Sequence, residues 1–217
     1  MSTIPASELV KAYIATATSE QRENLILSNV SSGLVPTFVS NTTDIIIKQG
    51  NNTVVLTVFN DYFMVGSDEN FLRIPMYPAN AERIAAMHGC VLPTPKIVDE
   101  IYKHVSAVRL SPVTYSPKPG EPSRGATKTY VWHNQQIEQQ IQRKGFKTGN
   151  QLIVAHKKDI VVCKALRTHP DKLYIYGWHQ SNGKAIQPLS DAHSATYVDY
   201  SHGVRLIKNE CRLNGLL

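Results

Sequence analysis

The sequence has 217 residues, enough for one large domain or two small ones. Its hydrophobic content of 42% and charged content of 18% exclude extended disorder, and it has no run of about 18 apolar residues that would form a membrane span. Three cysteines without a CxxC pair are too few for a disulfide framework, and the formal net charge of +6 excludes an acidic protein.

The first 110 residues predict two helices, one antiparallel sheet and two further helices. Ser7 and Ser19 are the expected caps of the first two helices. β-branched runs on either side of a Gly-Asn-Asn turn predict a hairpin, and two shorter strands are expected to complete the sheet. The expected strands are residues 44–48, 53–59, 62–65 and 71–74, and the expected later helices are 78–88 and 95–104.

A Pro/Ser/Gly-rich segment, residues 111–125, predicts an exposed loop or linker. After it we expect a helix capped by Asn134, and then strands at 151–155, 160–164, 173–179, 197–198 and 204–208. The pattern favours one α+β domain over 1–217, mainly of antiparallel sheet, with N-terminal and central helices. Two lobes around a cleft, 1–110 and 126–217, are a variant of this architecture.

The charge is unevenly distributed along the chain. Residues 1–100 have six Lys or Arg and ten Asp or Glu, whereas residues 101–217 have seventeen and seven. The second half is therefore expected to attract anions, or simply to present a solvated basic surface.

The densest group of reactive side chains lies in the basic half of the chain. Tyr197, Asp199 and His202 follow His193 closely, and Trp178-His179 precede them. Histidine titrates near neutrality, so this clustering indicates a functional site. On a regular strand Asp199 and His202 would lie on opposite faces, so Asp199 orients His202 only if the chain turns at 201–203; otherwise it orients His193.

Cys90 is the candidate nucleophile, because a histidine lies two residues before it and a helix begins soon after it. The opposite interpretation is a buried structural thiol. A second possibility is a zinc site built from the histidines at 179, 193 and 202 with Asp199, although no metal-binding signature accompanies them. Basic and aromatic residues also alternate at Lys128, Tyr130 and Trp132 and at Lys172, Tyr174 and Tyr176, which would stack nucleic-acid bases if these segments were strands.

Three segments carry a resemblance to known families. Residues 88–99 (HGCVLPTPKIVD), the YGWH segment ending at His179 and residues 197–206 (YVDYSHGVRL) resemble a family of largely uncharacterised microbial proteins, many of them secreted. The HGCV and SHGVRL segments are also similar to parts of L,D-transpeptidases. The order of Cys90 before His193 or His202 is similar to that in NlpC/P60 peptidases. The resemblance implies cell-wall cysteine chemistry.

These patterns lead to three hypotheses. The first is a cysteine-dependent hydrolase or acyltransferase that acts, without a cofactor, on a peptide or amide bond such as those of a cell-wall polymer. In it Cys90 attacks, His193 or His202 is the base and Asp199 orients it. Its substrate-binding residues are Lys96, Trp178, His179, Tyr197 and Arg205.

The second hypothesis is a non-catalytic domain that binds an acidic glycan or nucleic acid, and the third is a metal-dependent hydrolase. The expected partner is a polymer or peptide with anionic groups; nucleic acid is the less favoured partner, and the sequence does not give the oligomeric state. Three Asn-X-Ser/Thr patterns favour a secreted or cell-envelope protein, with the cytoplasm as the alternative.

Overall fold

The computed structural model describes residues 8–16 and 18–216. These residues are 31% helical and 27% strand, which confirms the predicted α+β class. The helices are α1 Glu8–Ala15, α2 Ser19–Ser31, α3 Pro78–Met87, α4 Pro95–Lys103 and α5 Thr127–Arg143. The strands are β1 Thr42–Gln49, β2 Asn52–Phe59, β3 Val65–Gly66, β4 Phe71–Leu72, β5 Cys90–Val91, β6 Val108–Arg109, β7 Ile153–Val154, β8 Lys158–Ile160, β9 Lys172–His179, β10 Ala185–Ser194, β11 His202–Gly203 and β12 Ile207–Leu213.

The N-terminal helices follow the sequence signals closely. The expected cap Ser7 lies outside the described residues. For α2 the cap is Thr18 rather than Ser19: the Thr18 hydroxyl accepts from the Gln21 amide while the Gln21 side chain bonds back to the Thr18 amide. This reciprocal pair satisfies two amides that a helix start leaves free, which fixes the first residue of α2.

The predicted hairpin is present, but the predicted four-stranded sheet is wrong. β1 and β2 pair antiparallel from Thr42 with Phe59 to Gln49 with Asn52. The other edge of β2 pairs with β12, and β12 pairs with β5, giving the order β1-β2-β12-β5. β3 and β4 form a separate two-stranded ladder. The C-terminal strand takes the edge that local sequence order would assign to β3, so this sheet contains strands from both sides of the 111–125 loop.

The second four-stranded sheet has the order β10-β9-β8-β11. β9 pairs antiparallel with β8 and β10, whereas β8 and β11 run parallel, with His202 opposite Lys158. The parallel pair is the important feature, because it places the ionisable residues 156–159 beside residues 199–203. The predicted strand at 197–198 is wrong, since these residues precede a turn.

The helix predicted to begin at Asn134 begins seven residues earlier, at Thr127. Asn134 lies inside α5, where its side-chain oxygen accepts from the Arg73 backbone amide at 3.2 Å and its guanidinium at 3.0 Å. Asparagine is a frequent cap because its side chain competes for backbone groups, but here a tertiary partner uses that side chain. Lys128, Tyr130 and Trp132 are therefore helical, so the strand pattern proposed for base stacking is wrong for this segment.

Helices α1 and α2 pack on the main hydrophobic cluster, which extends from Tyr13 to Leu206. Arg22 of α2 donates to the Gly125 carbonyl at 3.0 Å and to the Thr127 hydroxyl at 3.5 Å, so the chain on both sides of the 111–125 loop is in contact. Within residues 8–16 and 18–216, none of the helices combines the length and apolarity needed to cross a membrane.

Candidate active site

A turn brings Asp199 and His202 together. The His202 amide donates to the Asp199 carbonyl at 3.2 Å, and the Ser201 carbonyl accepts from the Lys158 amide at 2.7 Å, which ties the turn to β8. His202 Nε2 then lies 3.7 Å from Asp199 Oδ1. The chain turns at residues 199–202, earlier than the turn expected at 201–203, because His202 and Gly203 already belong to β11; the two side chains nevertheless face each other.

The surroundings lower the pKa of both groups, so both favour the deprotonated form. Burial alone would raise the pKa of Asp199, but the His202 ring and the Ser201 hydrogen bonds lower it. Its Oδ1 accepts from the Ser201 amide at 2.8 Å and from the Ser201 hydroxyl at 2.6 Å. Burial lowers the pKa of His202 to about 4 against the opposing charge of Asp199. At neutral pH the site therefore holds a carboxylate beside a neutral imidazole.

His202 is fully buried, and neither of its ring nitrogens has a hydrogen-bond partner among the described residues. A buried polar atom without a partner loses its hydrogen bonds to water and gains none from the protein, which costs free energy, so such atoms are rare in folded proteins. The arrangement leaves a ring nitrogen available for a ligand atom.

Half-buried aromatic and basic residues surround this pair. The Tyr197 hydroxyl donates to Asp199 Oδ2 at 3.2 Å, and its ring lies 5.8 Å from the His202 ring. His193 stacks on Tyr197 at 3.8 Å. The Lys158 ammonium lies 5.3 Å from the Trp178 ring centre, and Lys158 also lowers the pKa of Asp199. The sequence prediction placed His193, Tyr197, Asp199 and His202 in one site, and the structure brings them together. Trp178, also predicted, contacts Lys158, which the prediction missed.

A second group of ionisable side chains is more deeply buried, and the sequence analysis missed it. Arg73 donates to both oxygens of Asp61, at 2.7 to 3.1 Å, and to Glu138 at 2.7 Å. His156 Nε2 lies 2.9 Å from Asp61 Oδ1. Burial alone would raise the pKa of Asp61, but the charges of Arg73 and His156 hold it far below its usual value.

Lys157 and Asp159 continue this buried group. Burial lowers the pKa of Lys157 to about 7, and its ammonium donates to the Tyr200 carbonyl at 2.7 Å. Burial raises the pKa of Asp159 to about 7, and the Tyr62 hydroxyl donates to it at 2.8 Å. One signal could have revealed these residues: the run 156–159 places four ionisable residues between the apolar segments 152–155 and 160–163.

Three predicted substrate-binding residues have other partners. His179 is 3% exposed, bonds through Nε2 to Asp99 at 2.9 Å and stacks on Tyr102. Arg205 is 1% exposed and donates to the carbonyls of Phe59 and Ile153. Lys96 is exposed, and its ammonium donates to Gln49.

The Cys90 thiol lies in the β5–β12 region, away from the second sheet in the strand order. Its sulfur donates to the His88 carbonyl at 3.3 Å, and the charge of Lys208 acts on it. Burial raises its pKa despite Lys208, so the environment favours the thiol over the nucleophilic thiolate. A groove of about 490 Å³ runs beside it, lined by His88, Gly89 and Lys208 among others.

The metal hypothesis required His179, His193, His202 and Asp199 to converge. Among residues 8–16 and 18–216, no three histidine, cysteine or carboxylate side chains are placed to hold a metal ion. His179 instead pairs with Asp99, which separates it from the other proposed ligands.

The chain was compared with protein-family models, with curated proteins and with solved structures, and none of the three comparisons gave a match.

Proposed function

We propose that the protein is a hydrolase that cleaves an acyl bond, an ester or amide, of an anionic substrate, with His202 as the general base. The observation that carries the proposal is the buried, neutral His202 imidazole, with unpaired ring nitrogens, 3.7 Å from the ionised Asp199. A histidine oriented by a carboxylate is the recurrent arrangement for moving a proton to and from a reacting group.

Each residue of the site has a role in this reaction. Asp199, with Oδ1 3.7 Å from Nε2, stabilises the imidazolium by its charge without a direct hydrogen bond, while Nδ1 takes a proton from water. The resulting hydroxide attacks the carbonyl carbon, and the Lys158 ammonium stabilises the oxyanion that forms. The imidazolium then returns its proton to the leaving oxygen or nitrogen as the acyl bond breaks.

The surroundings support an anionic substrate. Lys158 and the exposed Arg124 both act electrostatically on the Asp199 and Tyr197 region. Tyr197 covers His202 with its edge, so substrate binding requires the Tyr197 side chain to move aside.

The matched pair His202→Gln and His193→Gln tests the assignment. We expect the wild type to hydrolyse a panel of ester and anilide substrates. Substrates with a carboxylate on the acyl group are expected to react faster than those with a neutral acyl group. His202→Gln lowers kcat about 10²–10⁴-fold, while His193→Gln retains most activity because His193 lies only at the rim. The wild-type rate falls as the pH drops through about 4, where His202 gains a proton. The proposal is overturned if the wild type hydrolyses none of these substrates, or if the His202→Gln variant keeps full activity.

The cysteine-dependent mechanism remains a separate prediction, and Cys90→Ala distinguishes the two. Because the thiol environment raises its pKa, we expect Cys90→Ala to keep full activity. Loss of activity in a folded Cys90→Ala variant would favour the cysteine mechanism over the one proposed.

A further inference from the structure

A small cavity lies among the buried charges, apart from the proposed reaction. Its volume is about 10 Å³, which gives room for one particle the size of a water molecule or a small ion. It is lined by polar residues and by part of the apolar face of α4; the polar or charged members are Tyr62, Tyr102, Lys157, Asp159, Trp178, His179 and Arg205.

Two N–H donors beside this cavity have no acceptor among the described residues. They are Trp178 Nε1 and Arg205 Nε, from side chains that are 4% and 1% exposed. Both side chains line the same cavity. Buried N–H groups in folded proteins are almost always paired with protein, water or ligand acceptors. Two unpaired donors at one cavity therefore indicate a bound acceptor.

The charge balance favours an anion over water. The two terminal nitrogens of Arg205 donate to the backbone carbonyls of Phe59 and Ile153, at 2.9 and 2.7 Å, and its guanidinium lies 4.2 Å from the Tyr62 ring centre. None of these partners carries a full negative charge. A buried cation needs a counter-charge, because burial removes its hydration.

Asp159, the acidic residue that lines the cavity, supplies only part of that counter-charge at pH 7 and less of it at lower pH, although the charge of Arg205 opposes its protonation. Asp159 bonds to Tyr62, and burial raises its pKa to about 7. The other titratable groups that face the cavity are Lys157, His179 and Tyr102. Below about pH 7 the cavity thus has buried cations and a protonated carboxyl group.

The backbone around the cavity is strained, which is a further sign of a specialised site. Trp178 and Ala155 both line the cavity and both have positive φ, 56° and 72°. Non-glycine residues adopt this conformation at a cost that the rest of the structure must offset, and such residues concentrate at ligand and active sites.

We infer that this cavity binds a small monovalent anion, such as chloride, between the Trp178 indole N–H and the Arg205 guanidinium. The ion accepts from both unpaired donors and neutralises the buried Arg205. Polyatomic anions are too large for the volume. Since ionised Asp159 would repel the ion, binding is linked to proton uptake at Asp159.

The test compares melting temperatures of the full chain in sodium chloride and sodium gluconate at equal ionic strength. Chloride raises the melting temperature by about 2–4 °C with a saturating dependence, and the effect is larger below pH 7 than above it. Trp178→Phe removes one donor and reduces the chloride effect at least twofold. Trp132→Phe, at the other tryptophan of the chain, keeps the effect unchanged.

Crystals soaked in bromide give a direct readout that does not depend on activity or on the variants. An anomalous peak inside the cavity, beside Trp178 Nε1 and Arg205 Nε, supports the inference. A water molecule in the cavity, bromide at the surface as an adventitious ion only, or equal melting temperatures in the two salts overturns it. These outcomes leave the proposed hydrolase reaction unaffected, because they do not involve His202.

Discussion

Two buried aspartate–histidine pairs in this protein have the same chemical composition but different surroundings. Asp61 and His156 lie 2.9 Å apart, and Arg73 donates to both oxygens of Asp61. Asp199 Oδ1 and His202 Nε2 lie 3.7 Å apart, and neither nitrogen of His202 has a hydrogen-bond partner within residues 8–16 and 18–216. A guanidinium beside the first carboxylate makes that pair part of the framework. The second lacks such a partner, which leaves its imidazole free to react.

The two pairs also differ in what their buried groups contribute to stability. Removing one partner of a buried ion pair is costly because the other charge stays buried. Replacing a buried group that makes no bonds costs little, because no interaction is lost. Stability measurements on the two pairs can therefore distinguish them without a substrate.

The largest expected effect is that of Asp61→Asn. The substitution leaves Arg73 with Glu138 as its remaining carboxylate, so we expect it to lower the free energy of unfolding by about 3–5 kcal/mol. Urea denaturation measures this value. Asp199→Asn is the control, expected to cost less than half as much, since the hydrogen bonds to Asp199 come from the uncharged groups of Ser201 and Tyr197. Equal losses in the two variants would contradict the distinction.

The next effect concerns Asp159, a third buried carboxyl group whose pKa is shifted in the opposite direction to that of Asp61. Its folded pKa of about 7 exceeds the unfolded value of 3.8, so the folded state takes up the proton and stability falls as the pH rises between these values. Asp159→Asn cannot titrate and avoids this loss. Relative to wild type, the variant gains up to about 4 kcal/mol between pH 4 and pH 8.

Urea denaturation of both proteins at a series of pH values measures this difference in stability. The titrations of His156 and His202 contribute equally to both proteins and therefore cancel in the difference. A difference that stays constant with pH would show that Asp159 is ionised throughout. That result would contradict the statement that Asp159 is protonated beside the anion cavity below about pH 7.

The smallest effect compares the two histidines directly. His156→Leu breaks the bond to Asp61 and is expected to cost about 2 kcal/mol at pH 7. His202→Leu removes an imidazole without partners and is expected to cost less than about 1 kcal/mol. Thermal or urea unfolding of both variants gives the comparison. A larger loss for His202→Leu than for His156→Leu would show that His202 is part of the structural framework.

Much of the secondary structure could be predicted from local signals. The β1–β2 hairpin, helices α3 and α4 and the loop 111–125 follow from turn residues, Pro at the first helical positions and apolar spacing. The strand partners could not be predicted, because β12 pairs with β2 across about 150 residues of sequence. The start of α5 was missed because the Asn134 side chain bonds to Arg73 rather than capping a helix.

The candidate site was predictable in part. The clustering of His193, Tyr197, Asp199 and His202 in the sequence pointed to the region, and their separation by at most nine positions made contact plausible. Lys158 and Asp159 were not found, because the parallel pairing of β8 with β11 places them opposite His202 and Gly203.

The sequence by itself determined the α+β class, the basic second half and the local segment that carries the reactive histidines, because composition and short-range periodicity encode these. Only the tertiary structure decided which aspartate faces which histidine, which charge is neutralised by Arg73 and which thiol is buried. Those properties depend on distances and dehydration that arise when segments distant in the chain pack together.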